Sequence, residues 1–412
     1  MPDTAAAPGF PRLTYLRIKN YRALRDVELR DLTPLTVFIG PNGSGKSTIL
    51  DALAFLAEAV SGNLQQAWEK RNRFAGMRTR GQEGPIEFEV SLNTTFERSL
   101  TYYLSIKEDR EALEVSYESF TEGDRELYSY SGSGYSRADK ELAKQTHLNF
   151  YEIESNPDST VMVYANTTFL SSVLALNFKY SEVRDSATEM QSALSSYRYI
   201  HLTDDHLKGY SDAGPREKLS ANGDNLPNVL YYLHTKHPEA LARITAQLRR
   251  WVPGLADIIT EITSDERLLL RFKDASFEKP LPAQYMSDGT MRLAALLTLL
   301  YEPNATGLLG LEEPENELHP RLLPRLAEEL IKATEMRQLL VATHSPFLLD
   351  ALEPEQVWIL DRGADGYTLA TRTADIPQVK ELVEDGSPLG YLWTSNFFRL
   401  GDPLAPRTSA AQ

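Results

Sequence analysis

Cysteine is absent from this 412-residue chain. That absence excludes disulfides, thiolate metal sites and cysteine nucleophiles, and it is compatible with a reducing cytosol. No apolar run reaches the length of a membrane-spanning helix, so no membrane contact is expected. The opening segment MPDTAAAPGF lacks the basic stretch and long apolar run of a secretion signal, so a cytoplasmic protein is expected. Sustained heptads and internal repeats are missing too, which excludes a long coiled coil. Positive charge is in short supply: 43 Lys and Arg stand against 58 Asp and Glu, a net charge of −15. A chain of that balance is not drawn to DNA as a whole, and any nucleic-acid contact needs a local basic patch. The candidate patch is Lys70, Arg71, Arg73, Arg78 and Arg80, a run in which Glu69 is the single acid. A solvated surface loop is the preferred reading of that run, and DNA contact is the alternative.

What remains is the composition of an ordinary folded protein, 42% hydrophobic and 25% charged, long enough for one large domain or two lobes. Its most informative stretch is Gly40–Thr48, GPNGSGKST, which fits G-x-x-x-x-G-K-[ST]. The spacing follows from the chemistry. Backbone N–H groups must wrap phosphates, so side chains stay out of the way and glycine permits the turns. Asn42, Gly43, Ser44, Gly45, Lys46, Ser47 and Thr48 are the expected nucleotide contacts. Within them Lys46 is expected to reach the β- and γ-phosphates and the Ser47 hydroxyl to hold Mg²⁺. The context is the required one: TPLTVFIG reads as a buried strand running into the loop, and STILDALAFLAEAV as a helix leaving it, continuing to about Glu69.

Upstream, Leu13–Lys19 alternates as a strand and Asn20–Leu29 ends in a second. From Ile86 the pattern changes to short β-rich runs: Ile86–Leu92, Ser99–Lys107, Ala112–Phe120, Glu126–Tyr130, Leu148–Ile153 and Thr160–Ala165. Short gaps between them favour antiparallel hairpins. Ser131–Lys140 reads as an exposed loop. Thr168–Tyr197 reads as helical, Tyr197–Leu202 as a strand and Asp204–Asp224 as a surface loop. Helices are expected at Pro227–Leu233 and Pro238–Trp251, then strands at Ile258–Ile262 and Arg267–Phe272.

Three motifs follow. Tyr285–Pro303 carries a Ser-Asp-Gly turn into an apolar helix, with Ser287 and Asp288 as natural caps. Gly307–Pro320 delivers Glu312 and Glu313 from an apolar strand. Neighbouring strand residues face opposite ways, so the pair serves one site only at the strand's end. Glu312 would bear on Mg²⁺ and Glu313 on the attacking water. Arg337–Asp350 is an apolar strand ending in Thr343, His344 and Ser345, and a helix then opens at Pro346. A histidine at the carboxyl end of a parallel strand sits where open α/β sheets bind ligands.

In this order, the loop, the Ser-Asp-Gly helix, the paired carboxylates and Thr-His-Ser resemble the ABC-type ATPases. MSDGTMRLAALL, EEPENELHP, THSP and the opening Asn20-Tyr21-Arg22 resemble the SMC/RecF/OLD-like branch, over roughly Leu13–Asp361. The resemblance implies an α/β fold: a P-loop ABC-type ATPase with a mostly parallel core sheet, an added antiparallel β-block and a helical lobe. It implies Glu312 as the Walker B acid, Glu313 as general base, His344 as switch histidine and Arg22 near the nucleotide. Ser287 and Gly289 become the signature that covers ATP held by a second copy. The metal acid is Glu where many relatives have Asp. Gln66 and Gln82 are the candidates for the Q-loop glutamine. About 60 residues follow the His344 motif, fewer than an OLD nuclease domain needs, so no intrinsic nuclease activity is expected.

The expected organisation is residues 10–165 for the first part of the ATPase core with its β-block and 166–290 for a helical or inserted lobe ending in the signature. Residues 291–400 complete the core, and 1–9 and 401–412 are tails. The expected function is hydrolysis of ATP, with Mg²⁺, by a homodimer that sandwiches two ATP molecules. It would act as a switch in DNA maintenance or phage defence, through a separate effector protein. The alternatives are a nucleotide-sensing module with incidental hydrolysis and an orphan transporter subunit.

Overall fold

The computed structural model describes residues 9–131, 168–172, 181–209, 211–212 and 214–402. The expected strands at 148–153 and 160–165, and nearly all of the expected loop at 131–140, lie outside the described residues.

The chain begins with β1 (Arg12–Tyr21), β2 (Leu24–Leu29) and β3 (Leu35–Ile39), then α1 (Lys46–Glu58), α2 (Leu64–Lys70) and α3 (Arg73–Met77). β4 (Ile86–Asn93), β5 (Ser99–Asp109), β6 (Ala112–Glu122) and β7 (Arg125–Ser131) follow, then α4 (Phe169–Ser172), α5 (Ser181–Ser195) and β8 (Arg198–Ile200). Next come α6 (Asp204–Leu207), β9 (Ser211–Asp212), α7 (Leu226–Lys236), α8 (Pro238–Trp251), β10 (Leu255–Ile262), β11 (Arg267–Asp274) and β12 (Leu281–Pro282). The chain continues with α9 (Asp288–Leu300), β13 (Leu308–Glu312), α10 (Leu323–Ala333), β14 (Gln338–Thr343), α11 (Pro346–Leu349), β15 (Val357–Arg362) and β16 (Thr368–Arg372). It ends with α12 (Val379–Glu384) and α13 (Leu389–Thr394).

The core sheet has the order β16-β15-β3-β14-β13-β8, parallel throughout except for the antiparallel edge pair β15–β16. Both faces are covered, as a parallel sheet requires. Phe38, Leu340, Ala342, Trp358 and Leu360 pack on one side with α1, α5 and the β-block. Leu35, Val37, Ile39, Leu339, Val341, Val357 and Ile359 pack on the other with α7, α8, α9 and α10. That period of two turns short apolar runs into a doubly buried layer.

The β-block is a six-stranded antiparallel sheet, β2-β1-β4-β5-β6-β7. Gln338 fastens it to the core sheet. Its amide accepts from Leu13 N at 2.7 Å and donates to Leu13 O at 2.8 Å and Thr33 O at 3.1 Å. A third, small antiparallel sheet joins β9, β10, β11 and β12. Among the described residues no helix is long and apolar enough to cross a membrane.

Two local expectations are corrected. The helix expected to continue to Glu69 breaks at 59–63, a π-turn in which Gly62 adopts φ 91°; that left-handed conformation cannot continue a right-handed helix. The loop expected over 204–224 contains α6 and β9, and β9 gains its strand character by pairing with β11.

Candidate active site

The glycine loop joins β3 to α1. Gly43 has φ 76° and Gly45 φ 106°, where a side chain would be strained. Packing closes the loop from outside. A Cβ on Gly45 would lie 2.4 Å from Thr368 Oγ1, and the Thr368 hydroxyl donates to Ser44 O at 2.8 Å. Lys46 turns back over the loop and donates to Gly40 O at 2.9 Å and Pro41 O at 3.0 Å. Burial pushes its ammonium down to about 8, against the opposing pull of Glu313, Glu315 and Glu312. Asn42, Gly43 and Ser47 are exposed and Thr48 half-buried. Ser44 is buried with its hydroxyl unpartnered.

Glu312 is the last residue of β13, and Glu313 has φ 44°. The left-handed turn abolishes strand alternation at this point, and its backbone cost is of the kind that clusters at functional sites. Glu313 N still donates to Ala342 O at 2.8 Å, so the turned residue stays fixed to β14. The Glu313 carboxylate lies 3.2 Å from His344 Nε2 and accepts from Asn316 Nδ2 at 2.7 Å. Burial and the Lys46 charge hold the His344 imidazole below its ordinary value, although the three carboxylates pull the other way. Near neutral pH it therefore meets Glu313 as a neutral hydrogen-bonding ring.

Sequence reasoning missed four residues. Glu315 accepts from the Thr343 hydroxyl at 2.5 Å and from His344 N at 2.8 Å, fixing the β14 end to the β13 loop. Tyr199 donates its hydroxyl to Glu312 Oε2, and His201 Nδ1 lies 3.1 Å from the same oxygen. Tyr199 lies on the edge strand and His201 just past its end, both beside Glu312 because Ile200 pairs with Leu311. Tyr197 donates to Leu50 O at 3.0 Å, and a Cβ on Gly310 would come 2.1 Å from its hydroxyl. Glycine within an otherwise apolar strand was the available signal for that close approach.

Of the other expected site residues, Arg22, Ser287, Gly289 and Gln82 have partners outside the loop. Arg22, at φ 48°, pairs with Asp51 of α1 at 2.9 Å. Ser287 caps α9, accepting from Thr290 N at 3.3 Å, and a Cβ on Gly289 would meet Glu317 O at 2.4 Å. These partners of the signature turn belong to its own chain's α9 and β13 loop, and none is in the glycine loop. Gln66 is exposed on α2, and Gln82 donates to the Tyr367 hydroxyl at 3.3 Å.

The basic patch needs correction. The Arg71 side chain is 4% exposed and bound to Asp51 at 3.1 Å and Glu58 at 2.7 Å, while Lys70 pairs with Glu58 at 3.2 Å. Arg71 is an internal tie between α1 and α2, not a surface cation. Arg73 and Arg80 are exposed and Arg78 is half-buried.

The donor set suits a hard cation. Among the described residues no group of three or more His, Asp or Glu is placed to hold a metal alone. Magnesium needs no such cage: one or two protein oxygens, waters and substrate phosphates suffice. Ser47 and Glu312 are the residues that would hold it, and Mg²⁺ there would supply charge neutralisation for phosphates.

Comparisons with known proteins bear on the family and the fold. Residues 35–350 match the AAA_21 model, an AAA domain family whose description also names an AbiEii toxin of a Type IV TA system. The Retron Vc95 probable ATPase of Vibrio cholerae serotype O1 biovar El Tor is 24% identical over 374 residues, covering 82% of this chain and 71% of that one. The DNA replication and repair protein RecF of Corynebacterium jeikeium (strain K411) is 34% identical over 92 residues, 22% of this chain and 20% of that protein. An Smc head, solved bound to the C-winged helix domain of ScpA, superposes with a TM-score of 0.53 at 14% identity, over 87% of this chain and 97% of that one. That last likeness concerns the fold.

Proposed function

The chain belongs to the AAA_21 domain family, in the SMC/RecF/OLD-like branch of ABC-type ATPases, and on that premise we propose that it is a switch driven by ATP binding and hydrolysis in a two-ATP homodimer. The observation that carries the reading is the convergence of Lys46, Glu313 and His344 at the carboxyl ends of adjacent parallel strands.

In this reading the loop N–H groups and Lys46 bind the phosphates, and Ser47 and Glu312 hold the magnesium ion. Glu313 takes the proton from the attacking water, oriented by His344 and Asn316. Arg22 lies on the α1 side of the nucleotide. Ser287 and Gly289 of a second copy cover the γ-phosphate, since within one chain the signature turn is fastened elsewhere. The likeness to a retron ATPase and to RecF supports a role in defence or DNA maintenance, exerted through a separate effector. Arg73, Arg78 and Arg80 are the remaining cations for DNA.

Light scattering of Glu313→Gln with and without ATP tests the dimer. A doubling of mass with ATP is expected. A monomer in both conditions, well above the ATP affinity, would sink the sandwich.

A further inference from the structure

A cavity of about 170 Å³ opens at the other end of the core sheet. It lies where β8, β13 and β14 begin: Arg198 and Leu308 are first residues of their strands, and Arg337 directly precedes Gln338. Four residue steps of β13, roughly 13 Å, separate Leu308 in its lining from Glu312. It is therefore distinct from the nucleotide site.

The floor is charged and buried. Arg198 and Arg337 both bind Glu302 Oε2, at 2.7 Å and 3.3 Å, and the Arg337 and Glu302 side chains are 3% and 6% exposed. A buried guanidinium, Arg337, and a half-buried one, Arg198, thus share one carboxylate, an excess of positive charge that is costly without a further partner. Burial lowers the Arg337 guanidinium from its ordinary value, and Glu302 only partly opposes this. Two atoms of the trio have no hydrogen-bond partner: Arg337 Nε, a donor, and Glu302 Oε1, an acceptor. Exposed Lys218 and Glu217 stand at the mouth. The space far exceeds the roughly 10–15 Å³ that one water needs.

We propose that this cavity is a binding site for an oxyanion that carries one acidic proton, the hydrogen phosphate group, free or as the monoanion of a phosphomonoester. An oxygen of the anion accepts from Arg337 Nε, and its hydroxyl donates to Glu302 Oε1. Both orphan atoms are then satisfied, and the excess positive charge is neutralised. The carboxylate gives selectivity. Sulfate has no proton at neutral pH, so it meets Glu302 Oε1 with lone pairs and is repelled. The proposal does not depend on the nucleotide site.

Calorimetric titration of Lys46→Ala, which removes the main phosphate contact of the glycine loop, tests it at constant ionic strength. Inorganic phosphate is expected to bind saturably, about tenfold or more tighter than sulfate. Glycerol 3-phosphate binding tighter than inorganic phosphate identifies a phosphomonoester as the natural source, and the reverse ranking identifies free phosphate. Arg337→Met is expected to abolish binding. Glu302→Gln, whose amide can donate, is expected to bind sulfate at least as well as phosphate. Lys218→Glu, at the exposed mouth, is expected to weaken phosphate by about tenfold without touching the core. Absence of saturable phosphate binding, or equal affinity for sulfate, overturns the proposal. Should Arg337→Met fail to fold, phosphate affinity unchanged in both Glu302→Gln and Lys218→Glu overturns it as well.

Discussion

His344 Nε2 lies 3.2 Å from Glu313 Oε1, and the backbone N–H of the same histidine donates to Glu315 at 2.8 Å. The residue that follows β14 is thus gripped by two carboxylates of the β13 loop, so the proposed base and its orienting ring move as a unit.

Replacing Glu313 by Gln keeps the shape and removes the base. Hydrolysis is expected to fall by about 10²–10⁴-fold while ATP affinity changes little. Phosphate release and equilibrium nucleotide binding, measured on the same preparation, check both halves. Full turnover in Glu313→Gln would remove the residue from the chemistry.

Ser287→Arg is expected to stop hydrolysis and spare ATP binding, because in the proposed dimer the serine acts on the partner's nucleotide. Lys46→Ala disables the other half of the site. Mixed in equal amounts, the two inactive variants would form heterodimers with one intact site, recovering roughly a quarter of wild-type activity. A mixture as inactive as its components would place the complete site within one chain.

Tyr199 donates its hydroxyl to Glu312 Oε2. Tyr199→Phe frees that oxygen to swing, so the Mg²⁺ concentration for half-maximal hydrolysis is expected to rise, by about 3–10-fold for one lost charge-assisted bond. At saturating Mg²⁺ the rate is expected to recover. A lower plateau with an unchanged Mg²⁺ midpoint would contradict this role.

Glu118 is fully buried in the β-block, where it accepts from the Tyr102 hydroxyl at 2.6 Å and from Phe169 N at 2.8 Å. Burial pushes its carboxyl up to about 7, against those two donors. The folded state then holds a proton that the unfolded chain has already released. Its contribution to stability is complete below the unfolded value of 4.5 and is lost as pH rises through about 7. Glu118→Gln stays neutral, so its stability relative to wild type is expected to grow between pH 5 and pH 8, by on the order of 1–3 kcal/mol. Denaturant melts across that range would show it, and a constant difference would not fit.

Arg71→Ala leaves Asp51 and Glu58 without their buried partner and is expected to cost about 3–5 kcal/mol, discounted somewhat because both acids keep some contact with water. Arg73→Ala, Arg78→Ala and Arg80→Ala are expected to change stability by about 0.5 kcal/mol or less. If DNA is bound by these residues, the triple variant lowers both its affinity and the salt dependence of binding. Unaltered DNA affinity would send the search to another surface.

Much of the core was legible in the sequence because its signals are local. Leu35–Ile39 and Gln338–Thr343 read as buried strands from their apolar runs, and Gly40–Thr48 from its spacing. Tyr199, His201 and Glu315 were not legible, since their importance arises only when the edge strand and the β13 loop come beside Glu312 and His344. Arg71 misled for the same reason. In one dimension it belongs to a cationic run, and in three it faces Asp51 and Glu58. The turn at Gly62 was obscured by the helical pattern on both sides of it. Glu313 was the informative intermediate case. The strand rule said that adjacent carboxylates diverge, and the backbone resolves this with a left-handed residue at the strand's end.

β3, which shapes the glycine loop, is flanked by β14 and β15, and both are made more than 290 residues after it. During synthesis the apolar segment Leu35–Ile39 therefore has neither of its neighbours until most of the chain has left the ribosome. The β-block, whose strands all lie within residues 12–131, has its described partners at hand much earlier. Loop-closure entropy delays the pairing of distant strands, and an unpaired apolar strand is prone to join the wrong edge. The nascent protein thus carries a finished β-block beside an open core sheet, and its glycine loop takes final form only when the last quarter of the chain docks.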